Sequence, residues 1–130
     1  MTAKQDALDG VRVVDFTTMM AGPYCTRLLA DLGAEVIKIE PPEGGDYMRF
    51  QPPLVEGCSR YFGHLNAGKK SVALDLKSVA GQEIVAALVA EADVVVENFR
   101  PGVMARMDLG YESLAASNPS LIYCSISGYG

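Results

Sequence analysis

The chain has 130 residues, the length of a single domain, and its 49% hydrophobic and 21% charged residues are typical of a soluble globular protein. A net charge of −5 argues against a nucleic-acid partner, because such proteins present a basic face. No apolar run approaches the ~20 residues that cross a bilayer, and the N-terminus lacks the apolar core of a secretory signal. We therefore expect a cytoplasmic protein with no membrane partner.

The cysteines and the histidine are too few and too dispersed to predict a metal site. Cys25, Cys58 and Cys124 are odd in number and far apart, which predicts free thiols in a reducing compartment. His64 is the single histidine and is expected at the surface or as a capping residue. The sequence contains neither a GxGxxG dinucleotide motif nor a phosphate-binding P-loop. We expect no metal cofactor.

The first half of the chain begins with a strand, a helix and a second strand. A β-branched run at 11–16 predicts the first strand, and apolar residues at helical spacing from Ala21 predict a helix that ends at Gly33. Glu35–Glu40 predicts the second strand. Residues 41–70 show no periodicity and are expected to form a long irregular segment.

The alternation then continues to the end of the chain. The predicted elements are a strand at Ser71–Leu76, a helix from Ser78 to about Glu91 with Ile84, Leu88 and Ala92 on one face, a strand at Asp93–Glu97, a helix opening at Pro101, a helical turn at Glu112–Ala116 and a strand at Leu121–Ile126. This order predicts an α/β fold with an open, mostly parallel Rossmann-like sheet and helices on both faces. Because the last strand has no covering helix, we expect the chain to be a fragment of a longer one.

In open parallel sheets, ligands bind outside the carboxyl ends of the strands. The segments expected there are Thr17–Gly22, Pro41–Gly45, Leu74–Lys77, Asn98–Pro101 and Ser127–Gly130. Helices begin near Gly22, Ser78 and Pro101, and their N-termini favour anions. The sequence therefore predicts a phosphate-bearing ligand without identifying it.

Other charged residues have two interpretations. Asp15, Asp46 and Asp75 lie in or beside strand ends and could orient a ligand, although caps or surface positions are favoured. The basic residues form two groups, which are either solvated surface charges or a local anion site: Arg60, Lys69, Lys70 and Lys77, and Arg100 with Arg106. The sequence leaves both interpretations of the basic groups open.

Several motifs follow one another along nearly the whole chain. They are Asp15-Phe16, Ala21-Gly22-Pro23, Leu32–Glu40, Gly44-Gly45-Asp46, Asn66 with Lys69-Lys70-Ser71, Leu74–Lys77, Ala92–Gly102, Asn118-Pro119 and Ser127–Gly130. Together they resemble the opening of the family III CoA-transferases, the CaiB/BaiF group.

The resemblance implies a longer cytosolic enzyme built as an interlocked homodimer of ring-like subunits. Residues 1–130 would then be the incomplete N-terminal half of a larger domain, its CoA-binding Rossmann-like segment. Such enzymes move CoA from an acyl-CoA donor to a small carboxylic acid. A catalytic aspartate attacks the thioester and forms an acyl-aspartyl anhydride and then an enzyme–CoA thioester. The resemblance places that aspartate beyond Gly130, so this chain is expected to hold no catalytic residue and to be inactive by itself.

The resemblance also implies which residues contact coenzyme A. Arg106 matches a helix arginine that reaches a CoA phosphate. The sequence departs from the family pattern at Met20, where some relatives have Gln, and at Pro41, where some have Arg. The implied CoA-binding positions are Met20, Ala21, Leu74, Asp75, Leu76, Lys77, Asn98, Phe99, Arg100 and Arg106.

Two alternatives remain at this point. The first is the α-methylacyl-CoA racemase branch of the same family, whose His and Asp pair would also lie beyond Gly130. Val96–Gly102 and Tyr61-Phe62 look more like the transferase branch. The second alternative is a non-catalytic fragment or binding module.

Overall fold

The computed structural model describes residues 6–129 of the chain. In chain order, the elements are β1 (Arg12–Asp15), α1 (Ala21–Asp31), β2 (Glu35–Glu40), a 3-10 helix (Tyr47–Phe50), β3 (Leu54–Val55), β4 (Cys58–Ser59), α2 (Arg60–Asn66), β5 (Lys70–Ala73), α3 (Val79–Ala90), β6 (Val94–Glu97), α4 (Val103–Arg106), α5 (Tyr111–Ser117) and β7 (Ile122–Ser125).

Five strands form one sheet in the order β5-β2-β1-β6-β7, and every neighbouring pair is parallel. The chain moves outward from β1 through β2 to β5, and then returns to β6 on the other side of β1. The direction of strand order therefore reverses between β1 and β6, which is where open α/β sheets bind ligands. The predicted parallel α/β fold is confirmed.

Apolar side chains of the central strands alternate between two cores. Val14 and Val95 face a core that also contains Val85 of α3, Met104 of α4 and Leu114 of α5. The other face buries a smaller core of Val13, Ala34, Val36 and Val96, against which Leu29 and Ala30 of α1 pack. Helices thus cover both faces, as the strand composition predicts.

Two helices show where the apolar pattern and the structure agree and differ. Gly33 follows α1 with a φ of 101°, and the N–H groups of Gly33 and Ala34 donate to the carbonyls of Ala30 and Leu29. This is the Schellman arrangement expected of a helix that stops at glycine. In α3 the buried residues are Gly81, Val85 and Val89. Ile84 is 46% exposed, so it does not share a buried face with Leu88 and Ala92 as the predicted apolar face requires.

Two predicted boundaries move. The third strand of the main sheet, β5, ends at Ala73 rather than Leu76, which leaves Leu74–Lys77 in a loop at the carboxyl edge. The helix after β6, α4, begins at Val103 rather than at the predicted Pro101, because Gly102 has a left-handed φ of 81° and acts as its N-cap.

The prediction that residues 41–70 are irregular is wrong. This segment contains the 3-10 helix, the antiparallel β3–β4 pair and α2. The Arg49 guanidinium stacks on the ring of Phe62 at 3.8 Å and also pairs with Glu40 of β2. We call residues 46–69 the cap segment, because it covers the carboxyl edge beside β1 and β2. None of the helices within residues 6–129 is long and apolar enough to span a membrane.

Candidate functional site

A cavity of about 360 Å³ lies at the carboxyl edge of the sheet. Its lining is mostly apolar, and side chains from five separate strands or loops contribute to it: Phe16, Ile39, Leu74, Leu76, Phe99 and Met107. Polar groups lie at its border, including Asp46, Asp75 and Lys77. A pocket with apolar walls and a few polar groups suits an organic ligand that has an apolar part and a charged or polar part.

The predicted segment Leu74–Lys77 forms one wall of this cavity. The Asp75 carboxylate accepts the Lys77 N–H at 2.9 Å, and Ser78 caps α3 by accepting the N–H of Gly81. Helix α3 approaches so closely that a Cβ at Gly81 would lie 2.1 Å from the carbonyl oxygen of Asp75. The start of α3 therefore fixes this wall, and Asp75 is exposed, as its surface interpretation predicts.

A second cavity of about 420 Å³ lies on the other side of Phe99. Three more predicted residues, Ala21, Asn98 and Arg100, line it together with the segment that follows β7. Phe99 lines both cavities, so the loop after β6 separates them. Arg100 is exposed here, as Lys77 is at the first cavity, and each cavity thus has one solvent-accessible cation.

Two predicted residues lie outside both cavities. Met20 is the N-cap of α1 and is 55% exposed. Arg106 is exposed in the last turn of α4. Their contact with coenzyme A, like that of the other eight residues, stays a prediction. Gly130, the last residue of the predicted segment after β7, lies outside the described residues.

The loop after β1 is held by side chains from the loop after β6 and from the turn after β2. Asn98 accepts the Thr18 N–H at 2.8 Å and donates to the Thr18 carbonyl at 2.8 Å. Asp46 accepts the N–H of Met19 at 3.3 Å. Met19 has a φ of 68°, which is rare for a non-glycine residue and is held by such contacts.

Asp15 is buried, so its predicted cap or surface role is wrong. Its carboxylate accepts hydrogen bonds from the backbone and hydroxyl of Thr17, from the hydroxyl of Thr26 and from Lys69 Nζ, the last at 3.0 Å. The Lys69 side chain is only 2% exposed, and its burial lowers its pKa, partly offset by Asp15. Lys69 therefore belongs neither to a solvated surface nor to an open anion site. Lys70 pairs with Glu35 instead.

Two further carboxylates are buried near the carboxyl end of β2: Glu40 is its last residue, and Asp46 follows the next turn. Asp46 caps the 3-10 helix, as its cap interpretation predicts, and its Oδ2 lies 3.0 Å from Lys38 Nζ. Burial alone would raise the pKa of Glu40, but hydrogen bonds from Arg49, the Asp46 N–H and Ser71 outweigh it and lower the pKa to about 2. Glu40 is therefore ionised at neutral pH.

The sequence analysis did not predict that Lys38 is buried, although one pattern indicates it. Lys38 interrupts the apolar run of Val36, Ile37 and Ile39 in a central strand, where a solvated side chain is not expected. The apolar cavity residues Phe16, Ile39 and Met107 have no comparable mark, because their pattern is that of ordinary core residues.

Metal ligands and reactive thiols do not assemble at this edge. Among residues 6–129, no group of His, Cys, Asp and Glu side chains is arranged to hold a metal ion. The three cysteines are free. Burial raises the pKa of the Cys25 thiol, and the nearby Cys124 and Asp15 raise it further. The His64 side chain is exposed, as predicted.

The comparisons with known proteins point to one family. The family model described as CoA-transferase family III matches residues 8–130. A succinyl-CoA:mesaconate CoA-transferase from Haloarcula hispanica is 52% identical over 129 residues, which cover 95% of this chain and 32% of the relative. An acetyl-CoA:oxalate CoA-transferase from Acetobacter aceti is 50% identical over 122 residues, which cover 94% of this chain and 31% of the relative.

The fold has a matching solved structure. A CAIB/BAIF family protein from Brucella suis superposes with a TM-score of 0.91 and 48% identity, covering 98% of this chain and 35% of that chain. The chain thus spans about a third of the length of the relatives that it matches.

Proposed function

Because the chain belongs to CoA-transferase family III, we propose that its carboxyl-edge cavity binds the nucleotide end of coenzyme A. The observation that carries this proposal is the apolar cavity lined by both Leu74–Lys77 and Phe99. These are positions at which the family resemblance implies CoA contacts. Apolar walls suit the adenine ring, and Lys77 at the border suits a phosphate.

The second cavity continues this path toward β7. Arg100 and the N-terminus of the eleven-residue helix α1 lie near it, and both favour negative charge. We assign it to the part of CoA that leads from the pyrophosphate toward the thioester. Phe99, which lines both cavities, would then contact the ligand on two sides.

For the protein of which this segment is part, the proposed reaction is transfer of CoA from an acyl-CoA to a carboxylic acid. The names of the relatives from Haloarcula hispanica and Acetobacter aceti support such a donor and acceptor. In the proposed mechanism, an aspartate beyond residue 130 attacks the thioester carbonyl and releases CoA thiolate. The thiolate then attacks the aspartyl carbonyl of the anhydride, releasing the donor acid and leaving an enzyme–CoA thioester.

The acceptor carboxylate completes the cycle. It attacks the enzyme–CoA thioester, which releases CoA thiolate and forms a second anhydride between the acceptor and the aspartate. CoA thiolate then attacks the acceptor carbonyl of this anhydride, forming the new acyl-CoA and regenerating the aspartate. The contribution of residues 1–130 is to hold CoA so that the thiolate is not lost between these steps. An interlocked homodimer and a cytoplasmic location stay predictions.

Titration calorimetry of the chain with CoA tests the binding site. We expect Lys77→Ala to weaken binding about threefold to tenfold, because a charge-assisted phosphate contact at an exposed site contributes modestly. Lys70→Ala is the matched control, since Lys70 is the first residue of β5 and lies toward the amino ends of the strands, away from the cavity. Binding should weaken with added salt. A folded chain that does not bind CoA, or equal losses in both variants, would contradict the assignment.

A second experiment separates transfer from racemisation. The full-length protein is incubated in D2O with a 2-methylacyl-CoA or with succinyl-CoA and an added dicarboxylic acid, and the products are analysed by mass spectrometry. A transferase forms the CoA thioester of the added dicarboxylic acid and incorporates no deuterium at the α-carbon of the donor. Deuterium at the α-carbon without a new CoA ester would support the racemase branch instead.

A further inference from the structure

Two segments that line the first cavity are joined by one buried ion pair. Lys38 and Asp46 have side chains that are 1% and 0% exposed, with 3.0 Å between Nζ and Oδ2. Lys38 Nζ also donates to the carbonyl oxygen of Thr17 at 2.6 Å. Asp46 Oδ1 accepts the N–H groups of Met19 at 3.3 Å and Met48 at 3.0 Å.

These contacts connect the loop after β1 with the turn after β2. Thr18 and Met19 of the loop line the cavity on one side, and Gly45 and Tyr47 of the turn line it on another. Lys38 does not line the cavity, so any effect of this side chain on a ligand must pass through the two segments. The backbone of Met19 has the left-handed φ of 68° at the point where Asp46 holds it.

Stability alone is a poor reason for placing this pair here. A buried ion pair can often be replaced by apolar residues of similar volume without loss of stability, because desolvation offsets the attraction between the charges. Asp46 Oδ2 also lacks a hydrogen bond of good geometry in spite of its contact with Lys38. What the pair supplies that an apolar pair could not is a set of directed contacts to the backbone of Thr17 and Met19.

We propose that Asp46 is a positioning residue that holds the backbone of Met19 against the turn after β2 and thereby fixes the shape of the cavity, with Lys38 as the buried counter-charge of its carboxylate. The identity of the ligand rests on the proposed function. A cavity whose walls are held before the ligand arrives avoids the entropy cost of ordering them on binding. Asp46 lines the cavity and controls its shape through the Met19 backbone, whereas Lys38 lies outside the lining and acts only through Asp46 and the Thr17 carbonyl.

The test compares two charge-neutral double variants. Lys38→Met with Asp46→Asn removes both charges but keeps an Oδ1 acceptor for the N–H groups of Met19 and Met48. Lys38→Met with Asp46→Ala removes that acceptor as well. If the second variant does not fold, Asp46→Leu replaces Asp46→Ala and fills the same space. Arg27→Met with Asp31→Asn is the matched control, because this ion pair on α1 contributes nothing to the cavity lining.

The first measurement is amide hydrogen exchange by NMR. In the variant without the acceptor, we expect the Met19 amide to exchange at least about tenfold faster relative to core amides such as Val14 and Val95. In the Asn variant and in the control, the ratio should stay within about threefold of the original protein. A merely structural effect would change Met19 and the core amides together, because both would then exchange through global unfolding.

The second measurement is titration with CoA. The variant without the acceptor should bind about tenfold more weakly, and the Asn variant should recover most of this loss. Unchanged exchange at Met19, or equal CoA affinity of the two double variants, would overturn the proposal. If the original protein does not bind CoA, the proposed function fails, while the exchange ratio at Met19 still decides whether Asp46 positions the loop.

Discussion

The two edges of the sheet carry similar ion pairs in very different surroundings. At the carboxyl edge, Lys69 Nζ lies 3.0 Å from Asp15 Oδ2, and the two side chains are 2% and 0% exposed. At the amino edge, Arg12 lies 3.0 Å from Glu35 and 2.7 Å from Glu91, with exposed fractions of 36%, 37% and 75%. The distances match, so distance alone does not tell how much each pair matters.

The difference arises from what covers each edge. The cap segment 46–69 lies over the carboxyl ends of β1 and β2, while Arg12 and Glu35 at the amino ends are partly exposed to solvent. In water the attraction between charges is screened and either partner can be rehydrated, whereas a buried charge that loses its partner stays desolvated. The comparison predicts a large response to substitution at one edge and a small one at the other.

The largest effect is expected from Lys69→Met, which leaves the buried Asp15 carboxylate without its cation. Breaking one side of a buried pair costs about 3–5 kcal/mol. In a domain of this size, that loss lowers the melting temperature by more than about 10 °C. Calorimetry and urea denaturation measure both quantities. The double variant Lys69→Met with Asp15→Asn should recover much of the loss, because asparagine removes the buried charge and keeps an oxygen that accepts the Thr17 N–H. A single variant as stable as the original protein would refute this account of the edge.

Glu40 gives a smaller effect that depends on pH. Its pKa is about 2, below the 4.5 of an unperturbed glutamate. A depressed folded-state pKa stabilises the protein above pH 4.5, and this contribution is lost as the pH falls from about 4.5 to about 2. The difference corresponds to about 3 kcal/mol at neutral pH.

Glu40→Gln tests this contribution. Urea denaturation at about pH 7 should show the loss of stability, and the difference from the original protein should shrink at about pH 3. Glu43→Gln is the matched control, because Glu43 is exposed on the adjoining turn. An equal pH dependence in all three proteins would show that the hydrogen bonds of Glu40 do not hold its pKa down.

The sequence predicts the regular elements of the sheet better than it predicts the cap segment. The strands of the main sheet are near-continuous apolar runs and the eleven-residue α1 repeats its apolar spacing, so both can be recognised. The seven-residue α2 and the two-residue β3 and β4 are too short to show a period. Their order depends on tertiary contacts such as that of Arg49 with Phe62 and Glu40, which no local pattern reveals.

The site divides in the same way. Leu74–Lys77 and Phe99 could be predicted to lie at the binding edge, because they follow parallel strands and the topology brings such loops together. The pairing of Lys69 with Asp15 spans 54 positions and could not be read from the chain. The apolar walls were equally hidden, since Phe16 and Ile39 are core residues in pattern and cavity residues only through their place at the ends of β1 and β2.

The smallest effect is expected from Arg12→Met at the amino edge, the same kind of substitution as Lys69→Met at the other edge. Arg12 contacts both Glu35 and Glu91, yet an exposed ion pair contributes little, because water hydrates each partner when the other is removed. We expect the melting temperature to change by no more than about 2 °C.

That small change should diminish further in added salt, which screens exposed charges but affects buried pairs much less. Calorimetry of Arg12→Met and Lys69→Met side by side, at low and high salt, measures the contrast directly. Equal losses in the two variants would mean that burial by the cap segment does not set the strength of these pairs.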